Sequence, residues 1–199
     1  MGLYGDLTPW ERALSESTPL TMSAQQQTDA CWAAEGVLVL LWAFERVRDL
    51  PPFDQPASRE LLRHECLVAP AALLESPGLL RPVVEMEEWR AVAELWQWRS
   101  KLMGMTSGEN PFMPTPEMEA AGVLSLGEVI EVAAEGAVRS GIIPRTIEGD
   151  FPAKSKPYRL LEAHEWGEVA SLTAERYRAL NWVCGHSPGH RWDHTPTEV

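Results

Sequence analysis

Basic residues are scarce in this chain. Lys and Arg total 17 against 29 Asp and Glu, so the 199 residues carry a formal net charge of −12. No run of Lys or Arg occurs anywhere. A surface of that sign repels phosphate backbones and anionic headgroups, so neither nucleic acid nor membrane is an expected partner. Cysteine is scarce too. Cys31, Cys66 and Cys184 are too few and too far apart for a disulfide framework, which points to a reducing compartment. Long apolar runs are missing: the longest, Val37 to Phe44, falls far short of the roughly 20 residues a bilayer span needs. The opening residues hold Asp6 and no basic segment, so no secretory signal is expected and the location is read as cytoplasmic. Repeats, sustained heptads and low-complexity tracts are absent, and period-two strand patterns almost so.

What is present is helical periodicity cut by proline and glycine. Residues 1–24 read as a partly ordered arm anchored by Leu3, Tyr4, Trp10 and Leu14, and residues 25–199 as one helical domain. A first strong helix is predicted from Gln25 to Arg48, stopped by Leu50-Pro51-Pro52. Ser58 suits the N-cap of a helix through Leu61, Leu62, Cys66 and Leu67, with breaks expected at Pro70 and Pro77-Gly78. Pro82 opens a helix to about Met103, and Gly104 to Pro116 reads as a long loop. Ser125 and Glu128 have capping-box spacing for a helix that Gly141 closes. Ile143 to Pro157 reads as a second loop with at most a short strand pair. A last helix runs from about Ala163 to Cys184, ended by Gly185, with an irregular tail beyond. The fold class is therefore all-α or nearly so: one irregular domain of about five to seven helices with long Pro/Gly loops.

Three helices depart from clean amphipathicity. The first is apolar almost all round, which makes it a candidate for the centre of the fold and places Glu35 among Leu38, Val39 and Trp42. Arg99 falls inside the apolar arc of Trp89, Val92, Leu95, Trp96 and Met103, opposite a wet face of Arg90, Glu94, Gln97 and Lys101. Arg176 sits inside the arc of Val169, Leu172, Tyr177 and Leu180. Lone buried charges are costly, so Glu35, Arg99 and Arg176 are expected to converge, with Tyr177 and Asn181 adding hydrogen bonds. Such a cluster either fixes helix register or forms a small-anion pocket. Trp182 lies on an outward face, which suggests that the tail with Trp192 and Asp193 folds back over it. Trp32, Trp42, Trp89 and Trp96 read as core; Trp98, Trp182 and Trp192 read as candidate binding surface.

Motifs that carry chemistry are lacking. Cys184, His186, His190 and His194 fit no zinc spacing, so no metal is expected. His64 and Cys66 point to different faces of a helix, and no nucleophile elbow, phosphate loop or His-Glu-x-x-His occurs. No catalytic residue and no cofactor is assigned.

Trp32-Ala-Ala-Glu35-Gly-Val-Leu-Val-Leu-Leu-Trp42-Ala43, with Leu50-Pro51 and Phe53-Asp54, resembles the opening motif of the bacterial domain-of-unknown-function family 4272. So do Glu175-Arg176-Tyr177-Arg178-Ala179-Leu180-Asn181-Trp182 and Trp192-Asp193-His194-Thr195-Pro196-Thr197-Glu198, while Arg81-Pro82 is a weaker echo. The chain departs from that pattern at Glu45, where glycine is typical, and at Glu198, where Asp is usual. A Tyr-Arg pair of the middle helix is also missing. The resemblance implies a helical domain and supplies no catalytic residues. Taken together, these readings lead to an expected non-enzymatic binding domain for a protein partner, preferably basic, in an immunity or accessory role. The alternative is an anion-binding pocket or enzyme built round Glu35, Arg99 and Arg176.

Overall fold

The structure is a computed structural model that describes residues 7–18, 20–68, 79–106 and 113–199. Seven α-helices lie among the described residues: α1 Pro9–Ser15, α2 Ala24–Ala43, α3 Arg59–Arg63, α4 Val83–Thr106, α5 Pro116–Ala120, α6 Leu126–Arg139 and α7 Ala163–Val183. A two-residue hairpin, β1 Pro152–Ala153 with β2 Lys156–Pro157, is the one sheet among them, so the protein is a nearly all-α single domain. The expected anchors Leu3 and Tyr4, and the expected breaks at Pro70 and Pro77-Gly78, lie outside the described residues.

Polar caps set most helix starts. Thr8, Ser23 and Ser125 each accept a backbone N–H at N3 while the N3 Glu or Gln returns the bond, and Ser58 and Thr115 cap through the side chain alone. Helix α6 spans the predicted segment and ends at Gly141, which takes φ +72° and closes a Schellman turn through the Ile142 N–H to Ala137.

The long helices pack around α7, which touches both α2 and α4. The first helix is therefore not the hub. Its second half is nonetheless deeply buried, with Leu38 and Leu41 at 2 % exposure and Val39 at 0 %. It also ends at Ala43 rather than Arg48. The reason is local: Glu45 adopts φ +56°, and the N–H groups of Glu45 and Arg46 bond back to Trp42 and Leu41 in a Schellman turn built without glycine. The arginine at 81 fastens that end. Its side chain donates to the carbonyls of Trp42, Val47 and Arg48, pairs with Glu85 and lies over the Trp42 ring. A cation beside the open carbonyls of a helix C-terminus is favourable there.

One further expectation is revised. Helix α4 runs through Gly104, where a Cβ would meet the Trp166 indole at 3.3 Å, a tight contact. The expected long loop ends at Pro116, which is the first residue of the short helix α5. The segment 143–157 holds the short strand pair the sequence allowed, and a further bridge: Ile147–Asp150 and the hairpin each enclose two residues, Glu148-Gly149 and Lys154-Ser155, all at positive φ. Such turns match the strand twist and usually carry Asn-Gly. The hairpin is tied down by Lys154 N–H to Asp54 (2.8 Å) and by the pairs Lys154–Glu168 and Lys156–Glu165.

Candidate functional site

The buried charges form two separate pins. Glu35 on α2 and Arg176 on α7 pair at 2.8 Å, and Arg176 is fully buried. All five guanidinium N–H groups are used. Nε and Nη2 donate to Glu35 Oε2, Nη1 donates to the carbonyls of Pro51 and Pro52, and Nη2 donates to that of Gln55. Glu35 Oε1 accepts the Ala57 N–H. The pair thus staples the Pro51–Ala57 loop onto the junction of α2 and α7. Burial pushes the Arg176 guanidinium below its ordinary value, against the pull of Glu35 and Asp54.

Arg99 does not join this pair. It forks onto Asp150, with Nε to Oδ1 and Nη2 to Oδ2 both at 2.8 Å, and the side chains are 1 % and 2 % exposed. Asp150 also accepts the N–H groups of Phe151 and Arg159. Burial raises its carboxyl, but Arg99 and these two amides outweigh burial and hold it below the usual carboxylate range. The Arg99 side of α4 faces the hairpin rather than α2, so the expected three-way cluster divides into two pairs.

An aromatic stack joins the pins. The Arg176 guanidinium lies 5.5 Å from the Phe53 ring, Phe53 stacks on Trp96 at 5.8 Å and 13°, Trp96 meets Tyr158 at 6.3 Å, and Arg99 lies 4.5 Å over Tyr158. Burial pushes the Tyr158 hydroxyl up to about 12. The outer member, Trp89, stacks on Phe53 and reaches the surface.

There the stack floors an open cleft of about 940 Å³, lined by Phe53, Trp89, Val92, Trp96 and Ile142 among others, with Asp54, Glu88 and Arg145 at its edge. Arg145 is exposed and makes no ion pair or hydrogen bond with a described residue. Neither this cleft nor the second cavity is lined by Glu35, Arg99 or Arg176. Trp96, read as core in sequence, is core at 5 % exposure, whereas Trp89, read the same way, is half-exposed at the cleft. The pattern gave helix face but not the withdrawal of neighbouring elements that leaves Trp89 at the surface.

The C-terminal tail lies along α7. Trp182 and Trp192 meet edge to face at 5.9 Å, and Trp182 Nε1 donates to the His190 carbonyl. Asn181 donates to Pro196 O at 2.9 Å. Gln97, placed on a wet face by periodicity, is 5 % exposed because the tail covers it and Thr197 O accepts its amide. Lys101 pairs with Glu198. The Trp192 ring rests on Gly36, where a Cβ would come within 3.1 Å. Trp192 and Asp193 line the second cavity, of about 540 Å³, with Trp10, Asp29, Trp32, Glu175 and Arg178. Of the seven candidate residues, then, Glu35 and Arg176 form one pin, Arg99 belongs to another, Asn181 and Trp182 hold the tail, and Trp192 and Asp193 reach a cavity.

The Cys/His segment makes a different arrangement from a metal centre. His186 Nε2 lies 2.8 Å from Glu87. Burial, with Glu87 nearby, pushes the Cys184 thiol up to about 11, which leaves it a poor nucleophile. No group of three His, Cys, Asp or Glu residues among the described ones is placed to hold a metal ion. Among the described residues no helix is long and apolar enough to cross a membrane. Neither known-family profiles, nor characterised proteins, nor solved structures match the chain.

Proposed function

We propose that the protein is a non-enzymatic binding domain of the bacterial cytoplasm, in an immunity or accessory role, that takes an apolar segment of a protein partner into the aromatic cleft. The observation that carries this reading is the cleft that half-exposed Trp89 lines over the buried rings of Phe53 and Trp96, backed on its inner side by two closed ion pairs. Large aromatic rings on a rigid floor are the side chains that dominate binding energy at interfaces. Asp54 and Glu88 at the edge, and the charge of −12, favour a partner with basic residues flanking its apolar anchor. The enzyme and anion-pocket reading has less support. Arg176 has no N–H left to offer a ligand, and Arg99 is sealed against Asp150. Kinship with the domain-of-unknown-function family 4272 is likewise our inference. It is supported by the way the residues of its opening and closing motifs meet as the Glu35–Arg176 pair and as Trp192 on Gly36.

A photo-cross-linking amino acid at Val92, in the cleft, compared with one at Val132, on the outer face of α6, tests the proposal in the producing cell. A discrete protein adduct from position 92, absent from position 132 and lost on Trp89→Ala, is expected. Equal labelling from both positions, or none from the cleft, overturns the reading.

A further inference from the structure

We propose that the second cavity, walled by Trp10, Trp32 and Trp192 and edged by Asp29, Glu175 and Asp193, binds a quaternary ammonium group. The site shares no residue with the aromatic cleft, so it stands or falls independently of the partner proposed above.

The cavity lies where α1, the first half of α2, the middle of α7 and the C-terminal tail come together. At about 540 Å³ it falls within the roughly 300–1,000 Å³ of small-ligand sites. Three of the chain's nine tryptophans line it, contributed by three different segments. Trp192 is held firmly, with its ring against Gly36 and its edge contact to Trp182. An indole offers a ligand an electron-rich face and one N–H, and no lone pair for a metal. Walls of this kind suit a cation that carries its charge on methyl groups.

The charge at the edge has the matching sign. Arg178 is the one basic lining residue, and it is already paired with Glu175 at 2.7 Å. Asp29 accepts a hydrogen bond from Gln25 but has no cation, and Asp193 has neither ion pair nor side-chain hydrogen bond among the described residues. Two carboxylates are therefore uncompensated around an aromatic hollow. Burial first, and then the neighbouring Asp29 charge, push the Glu175 carboxyl above its ordinary value despite Arg178. The edge thus carries more acidic than basic groups even with Arg178 counted.

Other ligand classes fit less well. An anion meets net negative charge. A metal ion finds no convergent donor set, and a neutral apolar ligand would desolvate the carboxylates without pairing them. A primary ammonium must shed a strongly held hydration shell that indole faces cannot replace, whereas a tetraalkylammonium has little to shed.

Titration of the full chain with tetramethylammonium and with choline, followed by calorimetry and by indole N–H resonances, tests this. Saturable binding is expected, with shifts in the signals of Trp10, Trp32 and Trp192. The uncharged isostere 3,3-dimethylbutan-1-ol is expected to bind at least about tenfold more weakly. Trp32→Leu should weaken binding roughly tenfold, and Asp29→Asn less, with native circular dichroism kept in both. A trimethyl-lysine peptide distinguishes the sources: tighter binding than choline assigns the group to a methylated protein, weaker binding to a free small molecule. The proposal fails if no saturable shift develops by about 10 mM, if the neutral isostere binds equally, or if the shifts fall on other tryptophans.

Discussion

The two buried ion pairs look alike and are built differently. In the Glu35–Arg176 pin the arginine is the hub: besides the carboxylate it holds three loop carbonyls, while Glu35 has only the Ala57 N–H in reserve. In the Arg99–Asp150 pin the acid is the hub, with two backbone amides of its own and the Arg159 guanidinium 3.9 Å away. A buried pair costs most when one partner is removed and the other is left uncompensated. The residue whose loss hurts most should therefore be the arginine in the first pin and the acid in the second.

The largest expected effect follows directly. Arg176→Leu strands a buried carboxylate and frees the carbonyls of Pro51, Pro52 and Gln55, so it should destabilise the fold by about 4–5 kcal/mol. Glu35→Gln keeps an acceptor but leaves guanidinium charge uncompensated, and should cost about 3 kcal/mol. Arg99→Leu should cost less than Arg176→Leu, because two amides still serve Asp150. Urea unfolding of the three variants under one set of conditions decides this, and equal losses for the two arginines would refute the hub argument.

The second pin is also the one with a visible pH signature. The Asp150 carboxyl is depressed in the fold relative to an ordinary value of about 3.9. A depressed carboxyl stabilises the native state above its unfolded value, and that contribution is lost as pH falls through the folded value. Stability should therefore drop on acidification below about pH 4. Asp150→Asn should cost about 2–3 kcal/mol at neutral pH and show a shallower acid limb, measured as urea midpoints against pH. An acid limb of unchanged steepness would mean that other carboxylates carry it.

The same contrast explains what sequence could and could not reveal. Glu35 and Arg176 both lie on long helices, where a charge inside an apolar arc is conspicuous, so their burial was legible and their pairing followed. Arg99 was legible for the same reason, but Asp150 was not. It sits on a bridge closed by Glu148-Gly149, beside a hairpin turned by Lys154-Ser155, and three of those four residues are not the ones such turns usually carry. Tertiary support from Asp54, Glu165 and Glu168 holds that turn in place of local preference. The cavities were illegible altogether, since periodicity reports which way a side chain faces on its own helix and nothing of where the neighbouring element stops.

The tail offers a region between these extremes, docked by aromatic contact and few polar bonds. Deleting residues 190–199 removes the Trp192 indole from Gly36 and Trp182, and with it the acceptors for Trp182, Asn181 and Gln97. The three donors then regain water, so their loss weighs little. A drop of about 2 kcal/mol, dominated by the indole, is expected from thermal or urea unfolding. A loss as large as that of Arg176→Leu would mean that the tail shields a pin.

The smallest effect should have the opposite sign. Glu45 occupies the left-handed position of the turn that ends α2, at φ +56°, with an exposed side chain that makes no hydrogen bond or ion pair with a described residue. A residue bearing a Cβ is strained there by roughly 1–2 kcal/mol, a cost glycine does not carry. Glycine also widens the freedom of the unfolded chain, which takes back about 0.4–1 kcal/mol. The net expectation for Glu45→Gly is a gain of about 0.5 kcal/mol, with Glu45→Ala near neutral or slightly destabilising because it keeps the Cβ. The turn lies two residues before Val47, whose carbonyl Arg81 grips, and six before Pro51, where the Arg176 staple begins. If the strain at Glu45 is instead stored to aim that loop, Glu45→Gly would destabilise, and the loss would shrink in an Arg176→Leu background. A double-mutant cycle between Glu45→Gly and Arg176→Leu, read by urea midpoints, separates local strain from coupling to the first pin.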